Sequence, residues 1–279
     1  MYGLLIYDQK GIERNAWFIK QLLSYAEEIG EELQLAEAEK LYPGVRGGRP
    51  YIAFPGGRKP DYAIVRTIFP LLSDVLESIG VRVFNGARVS RIANDKRLTC
   101  ALAASLGIPT PDTVFLNRYA FDPGAFTYPL ILKSTDGHGG TEVFYVENPK
   151  SAADAVESLK TSDFLLQKVV DKGRDVRVYL LNGKILAAVE RTSNVDFRSN
   201  FSLGGACRLC EVSEEMKIAV DKIRKALDPL YIAVDFIFDR GAPLLNEIED
   251  AAGARMLYRL TDLPVHRLYL DAVLRAASE

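Results

Sequence analysis

The N-terminal part of the chain alternates between strand-like and helix-like patterns, and this alternation limits the possible folds more than any other feature. "GLLIYD", from Gly3 to Asp8, is typical of a buried strand, and "NAWFIKQLLSYAEEIG" then carries apolar residues at helical spacing until Gly30. "PDYAIVRT", "FPLLSDVLESIG" and "VRVFNG" repeat strand, helix and strand. Strands that alternate with helices predict a parallel, doubly wound sheet, so we expect an α/β unit that ends near Ala87.

The remainder of the chain mixes helices with strand pairs. "DKRLTCALAASLG" predicts a helix that Asn94 or Asp95 caps, and "YPLILKST" and "TEVFYVEN" predict two strands joined by "DGHGG". The Asn182-Gly183 pair predicts a hairpin turn, and a strand pair is expected over residues 231–249. We therefore expect three units, over residues 1–87, 88–166 and 167–279.

Composition and charge exclude several classes of protein. Of 279 residues, 48% are hydrophobic and 26% are charged, which is ordinary for a globular protein. The net charge of −2 gives no reason to expect nucleic acid or an anionic membrane as a partner. The start of the chain shows neither a basic leader nor a long apolar segment, so we expect a cytoplasmic protein. The sequence does not indicate an oligomeric state.

The three cysteines argue against a disulfide framework. Cys207 and Cys210 form "CRLC", a spacing that redox and zinc sites share. No second cysteine pair follows, however, and His138 and His266 are distant in sequence. We therefore expect reduced thiols.

Two acidic strand segments, "YIAVDFIFD" and "PLLNEIE", lie close together in the sequence. We expect Asp239 to pair with Pro243 across a three-residue turn. Asp235 then lies opposite Glu247, with Glu249 as its diagonal neighbour on the same face. A two-residue turn would instead place Asp235 and Glu247 on opposite faces. Like charges destabilise such a pair unless a hard cation such as Mg²⁺ is bound, so the spacing fits either a metal site or a solvated acidic edge.

The segment "LKSTDGHGGTEV" places Lys133 at the end of an apolar strand, just before a glycine-rich loop. The backbone N–H groups of such a loop can hold phosphate while a lysine supplies positive charge. The segment matches neither the dinucleotide-binding fingerprint nor the Walker pattern. Taken alone, these residues fit either a phosphate site or a plain hairpin turn.

Arg177, Arg191 and Arg198 form a basic set in the C-terminal part of the chain. Guanidinium groups suit carboxylate and phosphate oxygens, although arginines on exposed strands are often solvated. No serine elbow, zinc-protease motif or cysteine-histidine pair is apparent. Because the chain has only two histidines, a mechanism of positioning and charge neutralisation, such as phosphoryl transfer, fits better than histidine acid-base catalysis.

In this order, the segments resemble the ATP-grasp superfamily, and most closely the RimK-type glutamate ligases. The resemblance covers about residues 83–253 and is carried by "NDKRLTCALAASLGIPTPDT", "LILKSTDGHGGTEV", "LLQKVVDKGRDVRVYLLNGKILAAVERTSNVDFRSNFSLGG" and "VDFIF" followed by "PLLNEIEDAAG". It implies the ATP-grasp fold, in which an N-terminal parallel α/β domain precedes two α+β lobes that clamp ATP.

The resemblance also implies roles for individual residues. Asp235, Glu247 and Glu249 would hold Mg²⁺ or Mn²⁺. The candidate catalytic residues, which would steady an acyl phosphate or a substrate carboxylate, are Arg177, Arg191 and Arg198. The residues implied in ATP binding are Lys96 and Lys133 at the phosphates, Gly137, His138, Gly139 and Gly140 in the loop, Gln167 with the adenine hinge Lys168 and Val169, Asp175 at the ribose, and Arg198 and Asn200 near the phosphates.

Three features depart from the family pattern. The family's metal strand reads Glu-x-Asn before a Pro-Gly turn, whereas this chain has Glu249 in place of the asparagine and Ala252 in place of the proline. The glycine loop has His138 and Gly139 where the family has polar residues. The added carboxylate is compatible with two metal ions, and Arg255 just beyond the turn could offset its charge.

The implied function is an ATP-dependent carboxylate-amine ligase, which activates a carboxylate as an acyl phosphate for attack by an amine. Small molecules or peptides would supply the carboxylate and the amine, and the sequence identifies neither of them. Two alternatives stay open: a small-molecule kinase on the same scaffold, and a nucleotide-binding module that no longer turns over.

Overall fold

The computed structural model describes residues 1–137, 142–192 and 206–279. Within these ranges the strands form one parallel sheet, two antiparallel sheets and a separate two-stranded hairpin, which confirms the predicted α/β class. The predicted site residues that lie outside the described ranges are His138, Gly139, Gly140, Arg198 and Asn200.

The N-terminal unit is built on the parallel sheet that the alternation predicts. Its elements are β1 (Tyr2–Tyr7), α1 (Gln9–Glu28), β2 (Glu32–Glu37), β3 (Tyr42–Arg46), β4 (Arg49–Ala53), β5 (Tyr62–Val65), α2 (Pro70–Ser78), β6 (Arg82–Phe84) and α3 (Ala87–Ala93). The strand order is β2-β1-β5-β6, and neighbouring strands are parallel. β1 and β5 are buried along their whole length, because α1 covers one face of the sheet and α2 the other.

Three parts of this unit are absent from the sequence prediction, namely β2, the β3–β4 hairpin and α3. β2 is an edge strand whose residues are mostly not buried, so it lacks the apolar run that reveals β1. The β3–β4 hairpin lies in the Pro-Gly-rich passage, where glycine usually indicates a loop. Gly47 and Gly48 form its turn with positive φ angles of 58° and 74°, a conformation that glycine adopts without strain.

The central unit is an antiparallel sheet covered by one helix. Its elements are α4 (Lys96–Ser105), β7 (Thr113–Asn117), β8 (Leu130–Ser134), β9 (Val143–Val146), α5 (Pro149–Ser158) and β10 (Asp163–Lys168). The order is β7-β10-β8-β9. Leu132, Phe164 and Leu166 pack against α5, so the alternating residues Lys133 and Gln167 face the other side of the sheet.

Asp95 rather than Asn94 caps α4, because its side chain accepts a hydrogen bond from the Arg97 N–H at 2.9 Å. The sequence analysis missed β7, which follows two prolines. β7 pairs only with β10 among the described strands, and such an edge position tolerates nearby proline.

The C-terminal unit is a five-stranded antiparallel sheet in the order β13-β12-β11-β14-β15. Its elements are β11 (Arg174–Leu181), β12 (Lys184–Thr192), β13 (Ala206–Cys210), α6 (Glu214–Leu227), β14 (Tyr231–Asp239), β15 (Ala242–Glu249), α7 (Arg255–Leu260) and α8 (Val265–Ser278). Asn182 and Gly183 make the predicted hairpin turn, with φ angles of 46° and 74°. α6 packs on one face of this sheet.

The predicted three-residue turn between β14 and β15 is wrong. Asp239 pairs with Ala242, so Arg240 and Gly241 form a two-residue turn, with φ angles of 52° and 83°. Asp235 nevertheless pairs with Glu247, because the register shifts by one residue between Phe236 and Asp235. The extra residue is Asn246, which makes a β-bulge. The predicted pairing is therefore correct, but the bulge produces it rather than the turn.

One hydrophobic core joins the N-terminal and C-terminal units. Phe18 and Leu22 of α1 belong to the same cluster as Tyr231 of β14 and Leu270 of α8. Tyr25 of α1 also donates a hydrogen bond to the Asp271 carboxylate at 2.8 Å. The strand ends of the N-terminal sheet thus lie against the C-terminal sheet. None of the helices in the described ranges has the combination of length and apolar character needed to cross a membrane.

Candidate active site

The structure brings three predicted metal ligands together on β14 and β15. Asp235 and Glu247 are paired across the two strands, and Glu249 pairs with Ala233 two residues further along. Each of the three carboxylates offers one oxygen, and these oxygens lie within 4.8 Å of one another. Asp235 is buried, at 2% exposure, and the two glutamates are half-buried. Such a group is destabilising unless positive charge compensates it.

Arg177 supplies part of that charge from the neighbouring strand β11. It lies directly opposite Asp235 in the β11–β14 register. Its Nε and Nη2 donate to the two Asp235 oxygens at 2.7 and 2.6 Å, and Nη2 also donates to Glu249 Oε1 at 2.7 Å. One guanidinium therefore bridges two of the carboxylates, with the bidentate geometry that makes arginine-carboxylate pairs strong.

Arg191 on β12 completes the arrangement. It pairs with Asp175 across the β11–β12 register, and its Nε donates to the Asp175 carboxylate at 2.5 Å. Its Nη2 donates to Asp235 Oδ2 at 2.8 Å. Asp235 thus accepts hydrogen bonds from two arginines on two strands.

These arginines determine the protonation state of Asp235. Burial acts to raise the pKa of its carboxyl group, but the charges of Arg177 and Arg191 and their hydrogen bonds outweigh this and lower the pKa to about 2. Burial likewise acts to lower the pKa of Arg177, and the charges of Asp235 and Glu249 raise it well above its ordinary value. Asp235 and Arg177 are therefore both ionised at neutral pH.

Two lysines from other elements face the acidic strand. Lys133 at the end of β8 donates from Nζ to Asn246 Oδ1 at 2.9 Å, so it contacts the bulged residue of β15. Lys96 at the start of α4 has its Nζ 4.0 Å from Glu247 Oε1 and also donates to the Gly137 carbonyl. Burial lowers the pKa of Lys133, and the charge of Glu247 offsets part of this effect.

The predicted adenine hinge lies at the end of β10. Gln167 is buried and donates from Nε2 to Thr113 Oγ1 at 3.0 Å. The Lys168 backbone N–H donates to the Asp112 carbonyl at 2.9 Å, and its side chain is 3.3 Å from Asp239. Because that N–H is already used, a bound base would have to meet the Lys168 carbonyl or the backbone of Val169.

The residues present suit a hard divalent cation. Mg²⁺ and Mn²⁺ prefer oxygen ligands, and three carboxylates supply them here. Within the described ranges, Glu247 makes one ion-pair contact, to Lys96 at 4.0 Å. Of the three carboxylates, Glu247 therefore has the oxygens that are most available to a cation. Glu249 is bonded to Arg177 through Oε1. Asp235 and Glu249 would therefore share their charge between a cation and Arg177.

The sequence analysis missed Asn246, which is the partner of Lys133. A signal for it is visible in β15, where the buried residues Leu245 and Ile248 are three apart instead of two. That break in alternation indicates one inserted residue between them. Asn246 and Glu247 are both half-buried and lie side by side at the bulge, next to the lysines.

Comparison with known protein sequences supports a family assignment. A family model described as RimK-like ATP-grasp domain matches residues 93–271. "Uncharacterized protein MG011 homolog" of Mycoplasma pneumoniae (strain ATCC 29342 / M129 / Subtype 1) is 32% identical over 200 residues, which cover 69% of this chain and 67% of that relative. "Probable alpha-L-glutamate ligase" of Parasynechococcus marenigrum (strain WH8102) is 27% identical over 275 residues, or 92% of this chain. The chain spans 59% of the length of that second relative.

The fold is also found among solved structures. The ATP-grasp ligase PsnB, solved with a minimal precursor, Mg and ADP, matches with a TM-score of 0.69 at 16% identity. The match covers 99% of this chain and 98% of PsnB. The chain therefore has the ATP-grasp fold that the sequence segments imply.

Proposed function

The chain belongs to the RimK-like ATP-grasp family, and from this premise we propose that it is a ligase that uses ATP and Mg²⁺ to join a carboxylate to an amine through an acyl phosphate. The reaction would run in the cytoplasm, as the sequence predicts. The bond between carboxylate and amine would be an amide or peptide bond, with ADP and phosphate as the other products.

One arrangement carries the proposal: two buried lysines face a strand of carboxylates. Lys96 and Lys133 reach Glu247 and the adjacent Asn246 from the central unit, across from the C-terminal sheet. Lysines suit the negative charge of a polyphosphate, and carboxylates suit the cation that accompanies it. A nucleoside triphosphate with a divalent cation is the ligand that uses both.

The cation, the lysines and the arginines would each stabilise negative charge on a different part of the reacting groups. Bound Mg²⁺, held by Asp235, Glu247 and Glu249, would neutralise charge on the transferred phosphoryl group. Lys96 and Lys133 would contact the ATP phosphates. Arg177 and Arg191 would orient the acyl phosphate or the substrate carboxylate, because their guanidinium groups are fixed beside the acidic strand.

The proposal also includes the other residues that the sequence predicts to contact ATP. Asp175 is buried and bonded to Arg191. Gln167, Lys168 and Val169 lie at the end of β10, where they would contact the adenine. L-Glutamate is the first substrate to test, because relatives of this chain carry the name alpha-L-glutamate ligase. The second substrate would be a small molecule or a peptide.

Release of ADP with pairs of substrates tests the proposal. We expect ADP only when Mg²⁺, a carboxylate and an amine are all present, with L-glutamate included in both panels. Hydroxylamine should replace the amine and yield a hydroxamate, which reports the acyl phosphate. Lys133→Met should abolish the signal, whereas Lys217→Met, at a half-exposed lysine on α6, should leave it unchanged.

Two results would contradict the ligase proposal. A stable phosphorylated product that forms without any amine would identify a kinase on the same scaffold. Tight binding of Mg·ATP in calorimetry, with no ADP release across the whole panel, would identify a nucleotide-binding module without turnover.

A further inference from the structure

The turn that follows the acidic strand is held by buried side chains at four successive carbonyls. Residues 250–253 connect β15 to α7. Asn85 Nδ2 donates a hydrogen bond to the Asp250 carbonyl at 3.0 Å. Arg66 Nη2 donates to the carbonyls of Ala251 at 3.3 Å and Ala252 at 2.8 Å. The Tyr179 hydroxyl donates to the Gly253 carbonyl at 3.2 Å. Such complete side-chain bonding of a turn fixes its backbone.

Asn85 is the centre of one half of this arrangement. It is 4% exposed and follows β6 of the N-terminal unit. Its Nδ2 also donates to Asp250 Oδ1 at 2.8 Å and to the Tyr231 carbonyl at 2.7 Å. Its Oδ1 accepts from the backbone N–H groups of Leu230 and Tyr231 at 2.9 and 3.0 Å. One amide therefore fixes the start of β14 and the end of β15 together.

Arg66 is the centre of the other half. It follows β5 and is 8% exposed, with its Nε donating to the Tyr7 hydroxyl at 2.7 Å. Its guanidinium lies 5.3 Å from the ring centre of Phe18 and 5.7 Å from that of Tyr269. Within the described ranges no carboxylate forms an ion pair with it. A buried guanidinium is costly, so its neutral hydrogen bonds to Ala251 and Ala252 are essential to keep it there.

We infer that Arg66 and Asn85 are positioning residues for the carboxylates of β15. Both come from the N-terminal unit, whereas the turn they hold begins one residue after Glu249. Displacement of this turn would move Glu249 directly and Glu247 with it. The inference rests on the proposed function, because it takes these carboxylates as the site that binds Mg²⁺ and nucleotide.

Arg66→Met tests this role, because it keeps the length of the side chain and removes every donor. The probe is Mn²⁺ with ADP, measured by calorimetry and by the electron paramagnetic resonance signal of Mn²⁺. We expect affinity to fall about tenfold or more, as for other residues that orient metal ligands, and Arg66→Lys to recover part of it. The midpoint of thermal unfolding is measured on the same samples.

Arg118 provides a matched control within the chain. Its Nη2 also donates to several backbone carbonyls, those of Val156, Leu159 and Thr161, but in the central unit around α5. Arg118→Met should lower the unfolding temperature and leave the affinity for Mn²⁺ with ADP unchanged. If Arg66 had only a structural role, Arg66→Met and Arg118→Met would both lower the unfolding temperature and would both leave this affinity unchanged.

The possible outcomes separate this inference from the proposed function. If the wild type binds Mn²⁺ with ADP and Arg66→Met binds equally well, the inference is wrong and the proposed function stands. If the wild type does not bind them, both are wrong. Should Arg66→Met fail to fold, Arg66→Lys decides: wild-type affinity and an unchanged Mn²⁺ spectrum would overturn the inference, and weakened binding would support it.

Discussion

Arg66 is buried and the side chain of Arg177 is only 12% exposed, but their surroundings differ in kind. Arg177 contacts two carboxylates, Asp235 and Glu249, within hydrogen-bond distance. Arg66 contacts a tyrosine hydroxyl, two backbone carbonyls and aromatic rings. The first site contains carboxylates whose charge a bound cation can share, whereas no carboxylate in the described part of the chain forms an ion pair with Arg66.

This difference separates the proposed catalytic part of the molecule from the part that supports it. The carboxylates beside Arg177 can share their charge between this arginine and a cation, so the charge distribution there would change when the proposed cation binds. The neutral partners of Arg66 require no such change, and their geometry can stay the same with or without ligand. Substitutions should therefore act on chemistry in the first region and on geometry in the second.

Among the carboxylates, the largest effect is expected at Glu247, which has the weakest contacts of the three. Glu247→Gln removes the charge that faces Lys96 and the proposed cation, so kcat should fall roughly 10²–10³-fold, as when one preorganised electrostatic contact is lost. Glu249→Asn restores the residue that the family carries and leaves Asp235 bonded to Arg177, so about a tenfold loss, or about 1.4 kcal/mol, is expected. Steady-state ADP release measures both.

Equal losses in these two variants would contradict the assignment of roles within the carboxylate group. Glu214, outside this group, provides a control of the same residue type: its exposed side chain pairs with Lys217 on α6. Glu214→Gln should leave kcat near the wild-type value.

The second prediction concerns stability. Asp235→Asn removes a buried carboxylate from Arg177 and Arg191, so the free energy of unfolding should fall by about 3 kcal/mol. The loss is at the low end for a buried pair because Arg177 keeps Glu249 and Arg191 keeps Asp175. Glu249→Asn should cost about 1 kcal/mol or less, because a third of that side chain is exposed. Urea unfolding at pH 7 measures the stability of both variants. Equal losses of unfolding free energy in Asp235→Asn and Glu249→Asn would contradict this prediction.

The smallest expected effect is a difference in acid sensitivity. The pKa of Asp235 is about 2 in the folded protein and 3.8 ordinarily, so its contribution is present above about pH 4 and lost as the pH falls towards 2. Between pH 3.5 and 2, the wild type should lose about 1 kcal/mol more than Arg177→Met, in which the main cause of the low pKa is gone. Urea unfolding at the two pH values measures the difference.

Arg66→Met should follow the wild type over the same acid range. The buried acid near Arg66 is Asp250, whose pKa is raised by burial, so its protonation causes no loss of stability as the pH falls. If the free energy of unfolding of Arg66→Met did not change over this acid range, the two arginine sites would be coupled through charge.

The sequence predicted those features that depend on local pattern. The parallel N-terminal strands follow from the alternation of strands and helices, and capping chemistry limited the cap of α4 to Asn94 or Asp95, of which the structure uses Asp95. The pairing of Asp235 with Glu247 was also predicted, although from a three-residue turn that the structure does not contain. The two-residue turn at Arg240 was missed because the bulge at Asn246 gives the same final register. A three-residue turn without a bulge and a two-residue turn with a bulge give the same pairs beyond the bulge, so the alternation of residues there cannot distinguish them.

The support for the site could not be predicted, because its partners are far apart in the chain. Arg66 is 186 residues from Ala252, and Asn85 is 165 residues from Asp250. Nothing in the local sequence distinguishes Arg66 from a solvated arginine after a strand. Only the packing of the N-terminal sheet against the C-terminal sheet brings these residues together.

The bulge at Asn246 also has a consequence for how the hairpin folds. A hairpin that grows from the Arg240-Gly241 turn without the bulge would place Glu247 opposite Val234, in the apolar layer beneath α6. Burying Ile248 instead of a charged glutamate favours the native pairing by at least about 2 kcal/mol. Packing against α6 therefore disfavours the slipped register and keeps Glu247 on the same face of the sheet as Asp235.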